Sequence, residues 1–117
     1  MKLLQALALT ALVACSAETE TTDAPRSKAT GEMLFESQNC QTCHGPRGVG
    51  LPGMGPKLQG VAELWTVETM SEYLADPEAY AQKDPRLAHD SKYRMKMPKS
   101  GLRPDARQRL AEYVLGL

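Results

Sequence analysis

Apolar residues along this chain fall into one continuous run and three periodic stretches, separated by segments with little hydrophobic character. The run is Leu3 to Val13, broken only by Gln5 and Thr10. It is too short to cross a bilayer as a helix, and with Lys2 ahead of it the pattern predicts the apolar part of an export signal. The first periodic stretch opens near Thr30, a permitted N-cap, with Glu32 in its first turn. Leu34 and Phe35 give it an apolar side, and it runs on into residue 40. The second starts at Thr66 and stops before Asp76-Pro77, with Val67, Met70 and Leu74 at i, i+3 and i+7. The third starts at Pro104, a residue suited to the first helical position, and carries Ala106, Leu110, Tyr113, Val114 and Leu117 at helical spacing.

Between these stretches lie breakers. Residues 45–56 are so dense in glycine and proline that only loop is predicted. Glu78 to Met97 carries scattered charge without sustained period and reads as irregular, with one short turn of helix. Nothing alternates with period two for long enough to suggest a sheet. The fold class predicted is all-α: a small domain of three main helices.

At 117 residues the chain holds a single domain. Residues 16–30 contain no large apolar side chain and read as a flexible tether with a span of about 20 Å. One Phe, one Trp and four Tyr make a thin core for what remains, so added apolar bulk is expected.

Cys40-Gln41-Thr42-Cys43-His44 indicates where that bulk comes from. The string C-x-x-C-H is the attachment pattern of a c-type haem. Two thiols on one helical turn reach two vinyl groups on one porphyrin edge, and the histidine that follows is placed to bind the iron. Two other uses of the cysteine pair compete with this one. A zinc site needs further ligands, and only His89 lies elsewhere. A redox dithiol expects a strand–helix setting that the helical pattern does not provide.

With these residues in view, residues 31–117 resemble the class I c-type cytochromes, monohaem members included. Gly31 and Phe35 stand where that family packs its first helix against its last, and Leu110 and Tyr113 stand where the last helix receives them. Gly55-Pro56-Lys57-Leu58 resembles the family's Gly-Pro-x-Leu, and Met97-Pro98 resembles its Met-Pro. The resemblance implies one covalently attached haem c on Cys40 and Cys43, with His44 and Met97 as the two metal ligands. It also implies that the Pro56 carbonyl accepts a bond from His44. Met95, two residues from Met97, and His89 remain alternatives for the sixth ligand, whereas Met54 follows His44 too closely. Trp65 is either a donor to a haem propionate or a packing residue, and Arg47 sits at the haem edge or is simply exposed. The function implied is single-electron transfer rather than catalysis. The alternative is a haem enzyme or sensor with an open or weakly held sixth position, peroxidase-like or gas-binding.

The beginning of the chain resembles a bacterial lipoprotein signal peptide, with Leu12-Val13-Ala14-Cys15 as its lipobox. That resemblance implies residues 1–14 as signal, Cys15 as the acylated residue opening a tether over 15–30, and a lipid-anchored domain on the periplasmic side of a membrane. All three cysteines are then accounted for, two by haem and one by lipid. The other reading is an ordinary export signal with an incidental cysteine.

Charge adds a last constraint. Fourteen bases balance fourteen acids, so nucleic acid is not a suggested partner. The distribution is uneven: seven acids lie between Glu32 and Glu78, and nine bases between Lys83 and Arg109. Several of those bases flank Met97, which suits docking to redox partners that are acidic around the contact.

Overall fold

The computed structural model describes residues 23–117, with side chains from residue 30 onward. The expected signal peptide, Cys15 and the first part of the tether lie outside the described residues. Among the described residues there are five α-helices: α1 (Asp23–Ser37), α2 (Cys40–His44), α3 (Val67–Ala75), α4 (Pro77–Lys83) and α5 (Pro104–Leu115). Short 3₁₀ turns at Pro46–Gly48, Val61–Glu63 and Pro85–Leu87 join them. No strand occurs among the described residues, only an isolated bridge between Leu51 and Gly55. The all-α expectation holds.

Helices α1 and α5 cross at Gly31. A Cβ there would lie 2.5 Å from Tyr113 Cβ and 2.7 Å from the Arg109 carbonyl, so only glycine permits this approach. One turn on, Phe35 packs against Tyr113 with ring centroids 5.5 Å apart. Helix α3 covers the other side of α5. Met70 and Leu74 from α3 join Phe35, Leu110, Ala111 and Val114 in a single buried cluster. Truncating a residue at its centre costs about 2–5 kcal/mol. The predicted stripe of α3 is the face that is buried, and Thr66 caps it. Its hydroxyl accepts the Thr69 N–H at 3.1 Å while the Thr69 hydroxyl accepts the Thr66 N–H at 2.9 Å, satisfying two N–H groups that the first turn leaves unpaired.

Three features depart from the sequence expectation. Helix α1 is already formed at Asp23, the first described residue, ahead of the expected start near Thr30, so residues 23–30 of the expected tether are helical. Helix α1 also does not run into the motif: Asn39 takes a left-handed conformation (φ 59°) and α2 starts afresh at Cys40. Finally, Glu78–Met97 is less irregular than its charge pattern implied. Pro77 opens α4, and the Asp76 carboxylate accepts the Ala79 N–H at 3.1 Å as its cap. The Asp-Pro pair that reads as a stop for α3 is also the start of α4.

Candidate haem site

Helix α2 is a little over one turn long, enough to put Cys40, Cys43 and His44 on the wall of one cleft. Both cysteines are half-buried, and burial pushes the Cys40 thiol up, to about 11. The motif needs a chain reversal on each side. Asn39 supplies the first, and Gly45, with φ 78°, supplies the second.

The loop after α2 folds back on it. The Gly50 N–H donates to the His44 carbonyl at 2.6 Å, and the Leu58 N–H to the Gly48 carbonyl at 2.8 Å. Gly55 lies so close beneath the motif that a Cβ would be 2.6 Å from the Cys43 carbonyl oxygen. This contact brings Pro56 to His44, and His44 Nδ1–H donates to the Pro56 carbonyl at 2.8 Å. His44 itself is buried. A proton held on Nδ1 leaves Nε2 as the nitrogen with a free lone pair, the state a metal-binding imidazole requires.

The cleft has two lobes. The outer one, of about 460 Å³, is lined by the motif, by Met54 and by the segment from Arg86 to Pro98 except Ser91 and Arg94. The inner one, of about 220 Å³, reaches the core side chains Phe35, Met70, Leu74, Leu110 and Val114. Cys40, His44, Pro56, Tyr73, Leu87 and Met97 line both. Interiors of small domains are close-packed, so a space of this size against the core marks a site built around a bulky group. Its apolar inner lobe, paired thiols and oriented imidazole fit a haem attached through two thioethers. They do not fit zinc: among the described residues no three of His, Cys, Asp and Glu gather as a metal site.

The candidates for the sixth position separate. Met97 is half-buried, packs against the core cluster and lines both lobes. Met95 is 64 % exposed and lines only the outer lobe. Met54 and His89 also reach only the outer lobe, and His89 is exposed. The segment bearing Met97 is held at two points: the Arg94 N–H donates to the Gly53 carbonyl at 3.0 Å, and the Ser100 N–H to the Leu74 carbonyl at 3.1 Å. Leu74 is in the last turn of α3, where carbonyls lose their helical partners. Lys99 adds an ion pair to Asp76 at 3.3 Å.

Trp65 lines the inner lobe and packs with Tyr73 and Tyr80, at ring centroid distances of 5.1 and 5.6 Å. Arg47 does not line the cleft; it occupies a left-handed turn (φ 56°) on the surface. Tyr73 and Leu87 are cleft residues that sequence reasoning missed. Tyr73 lies between Met70 and Leu74 of the α3 stripe and widens it, a usable signal; Leu87 is the only large aliphatic residue of a charged segment, a weak one.

The comparisons agree with this geometry. Neither the curated proteins nor the solved structures compared with the chain gave a match. The family model for Cytochrome c matches residues 28–117, more than three-quarters of the chain. Its members bind haem c covalently, and Cys40-x-x-Cys43-His44 fits their attachment motif. The chain belongs to the cytochrome c family, whose haem serves electron transfer.

Proposed function

We propose that this cytochrome c is a monohaem carrier of the class I kind, passing single electrons between redox proteins. Cys40 and Cys43 would hold the haem, His44 and Met97 would ligate its iron, and the Pro56 carbonyl would orient His44. The observation that carries this reading is the bond from His44 Nδ1–H to the Pro56 carbonyl, in a cleft that Met97 lines in both lobes. When bound, the haem supplies a one-electron ferric–ferrous couple, and a thioether as sixth ligand raises its potential. The protein's own part is to hold the imidazole in one tautomer, keep water from the inner lobe and set a sulfur on a two-point strap. With no position left open, small ligands are excluded and reaction with a substrate is disfavoured.

The chain carries this domain on a lipid at Cys15, on the periplasmic side of a bacterial membrane, with partners that are acidic around the docking site. The lipobox residues and the basic composition of 83–109 support these readings. The test of the carrier reading is the ferric spectrum of the holoprotein beside that of Met97→Ala. A methionine-sulfur charge-transfer band, lost in Met97→Ala and kept in Met95→Ala, is expected. Absence of that band from the unsubstituted protein, with ready carbon monoxide binding, would instead establish an open-site haem enzyme or sensor. Mass analysis of membrane-extracted protein checks Cys15: acylated cysteine at the mature N-terminus is expected.

A further inference from the structure

Among the residues whose side chains are described, Arg107 is the one lysine or arginine that is not exposed. It is half-buried on α5, and it has no carboxylate: the ion pairs of this part of the chain belong to Lys83, Arg86, Lys92, Lys99 and Arg103. Its bond is to backbone instead. A terminal guanidinium N–H donates to the Leu102 carbonyl at 3.1 Å, while Nε is buried and bonds to no described residue. Withdrawing a cation from water without a counter-charge opposes folding. An apolar residue with a similar unbranched stem would fill the position without that opposition. Packing therefore does not account for an arginine here, and the group it holds does.

Leu102 closes the segment that carries Met97. Its N–H donates to the Ser100 hydroxyl at 3.3 Å, and the Ser100 N–H donates to the Leu74 carbonyl at 3.1 Å. Between them Gly101 turns the chain through a left-handed conformation (φ 67°). The side chains of Leu102 and Met97 pack against the same buried cluster. Residues 100–102 are thus a corner tied to α3 at one end and to α5 at the other, and Arg107 makes the tie to α5. Arg107 is itself fixed, because its backbone N–H bonds to the Arg103 carbonyl at 2.9 Å in the first turn of α5. A charged donor bonds a carbonyl more strongly than a neutral one does, and more so where water is partly excluded. Without that bond the backbone of the corner is held only by Ser100, and the stretch that presents Met97 gains freedom to swing from the cleft.

We propose that Arg107 is a positioning residue for the sixth ligand: by clasping the Leu102 carbonyl it keeps the Met97 strap closed and limits how often the sulfur leaves the iron. Arg107 lines neither lobe of the cleft and acts through the backbone of residues 100–102. The inference rests on the reading of Met97 as the ligand.

The test uses the ferric holoprotein with imidazole as an added ligand. As imidazole is raised, its binding rate levels off at the rate at which the methionine sulfur departs, which reads strap opening. Arg107→Met should raise that limiting rate about tenfold, the weight of one charge-assisted bond, and should keep the sulfur charge-transfer band when imidazole is absent. Arg107→Lys, which retains a cationic donor, should recover part of the difference. Arg107→Gln, too short to reach Leu102, should match Arg107→Met and stands in for it if that variant does not load with haem. Two controls separate positioning from general weakening. Arg109→Met removes an exposed cation from the same helix and should change the rate less than about twofold. Ala111→Gly weakens the buried face of α5 without touching the corner, and should lower Tm at least as much as Arg107→Met while opening the strap less. A limiting rate unchanged in Arg107→Met and Arg107→Gln overturns the proposal. So does an Ala111→Gly rate equal to theirs, or an Arg107→Lys rate equal to that of Arg107→Gln. If the unsubstituted protein lacks the sulfur band, the ligand reading fails; if the band is present and the Arg107 variants behave like Arg109→Met, only the clasp fails.

Discussion

The segment that carries His44 and the segment that carries Met97 face the same cleft but are held in different ways. From residue 44 to residue 58 the chain is bonded to itself repeatedly, through Gly50 to His44, the Leu51–Gly55 bridge and Leu58 to Gly48, and Gly55 lies in contact with the motif's backbone. From 94 to 100 it is a strap: its two end N–H groups donate to Gly53 and Leu74, and no backbone N–H between them donates to another described residue. A wall tied at every turn fixes a side chain by its own local structure. A wall tied at two points fixes one only through what it spans, and is the first to open.

The largest expected effect that tests this contrast comes from Gly55→Ala. Its Cβ meets the Cys43 carbonyl oxygen, so backbone must shift and the His44–Pro56 bond with it. A loss of about 3 kcal/mol in denaturant unfolding of the holoprotein is expected. A result below 1 kcal/mol would mean the wall is softer than its bonding implies. Next is hydrogen exchange. The Gly50 and Leu58 amides should exchange about a hundredfold more slowly than those of residues 95–99; comparable protection in both would erase the distinction. Gly101→Ala, at the far end of the strap, is a smaller perturbation. Nothing lies within 4 Å of its Cβ, so the penalty is only that of a left-handed residue (φ 67°), about 1 kcal/mol.

The smallest effect concerns pH. Asp76 is held below its usual carboxylate value of 3.8, first by the Ala79 N–H and also by Lys99. A depressed acid stabilises the fold above its unfolded value and loses that contribution as pH falls through the folded one. Asp76→Ala should therefore lower Tm slightly at pH 7, and by progressively less as pH falls below 3.8. An undiminished difference at pH 3 would show that Asp76 acts by something other than its charge.

Much of this was legible in the chain because the deciding features are local. C-x-x-C-H is five adjacent residues, the α3 and α5 stripes repeat every turn, and Gly31 with Phe35 reads as one helical face. What escaped depends on neighbours. The start of α1 was hidden because residues 23–30 are polar and lack an apolar stripe, yet they continue a helix that is anchored further on by Phe35. Helix α4 is hidden because Asp76-Pro77 reads as a terminator, although the same pair makes a good N-cap and first position. The depths of Met95 and Met97 are not readable from the chain because residues two apart in a loop carry no periodic signal; Met97 packs against the buried cluster and Met95 is exposed.

The crossing of α1 with α5 has a consequence for how the protein is made. Phe35 and Tyr113 meet across nearly the whole length of the domain, so the interior is assembled from its opposite termini. A nascent chain that ends before Leu110 has helices with nothing to bury them against, and closing so long a loop is slow on entropy alone. Synthesis of the last helix is therefore the event that creates an inside, and a chain shortened before it lacks the partner that buries Phe35.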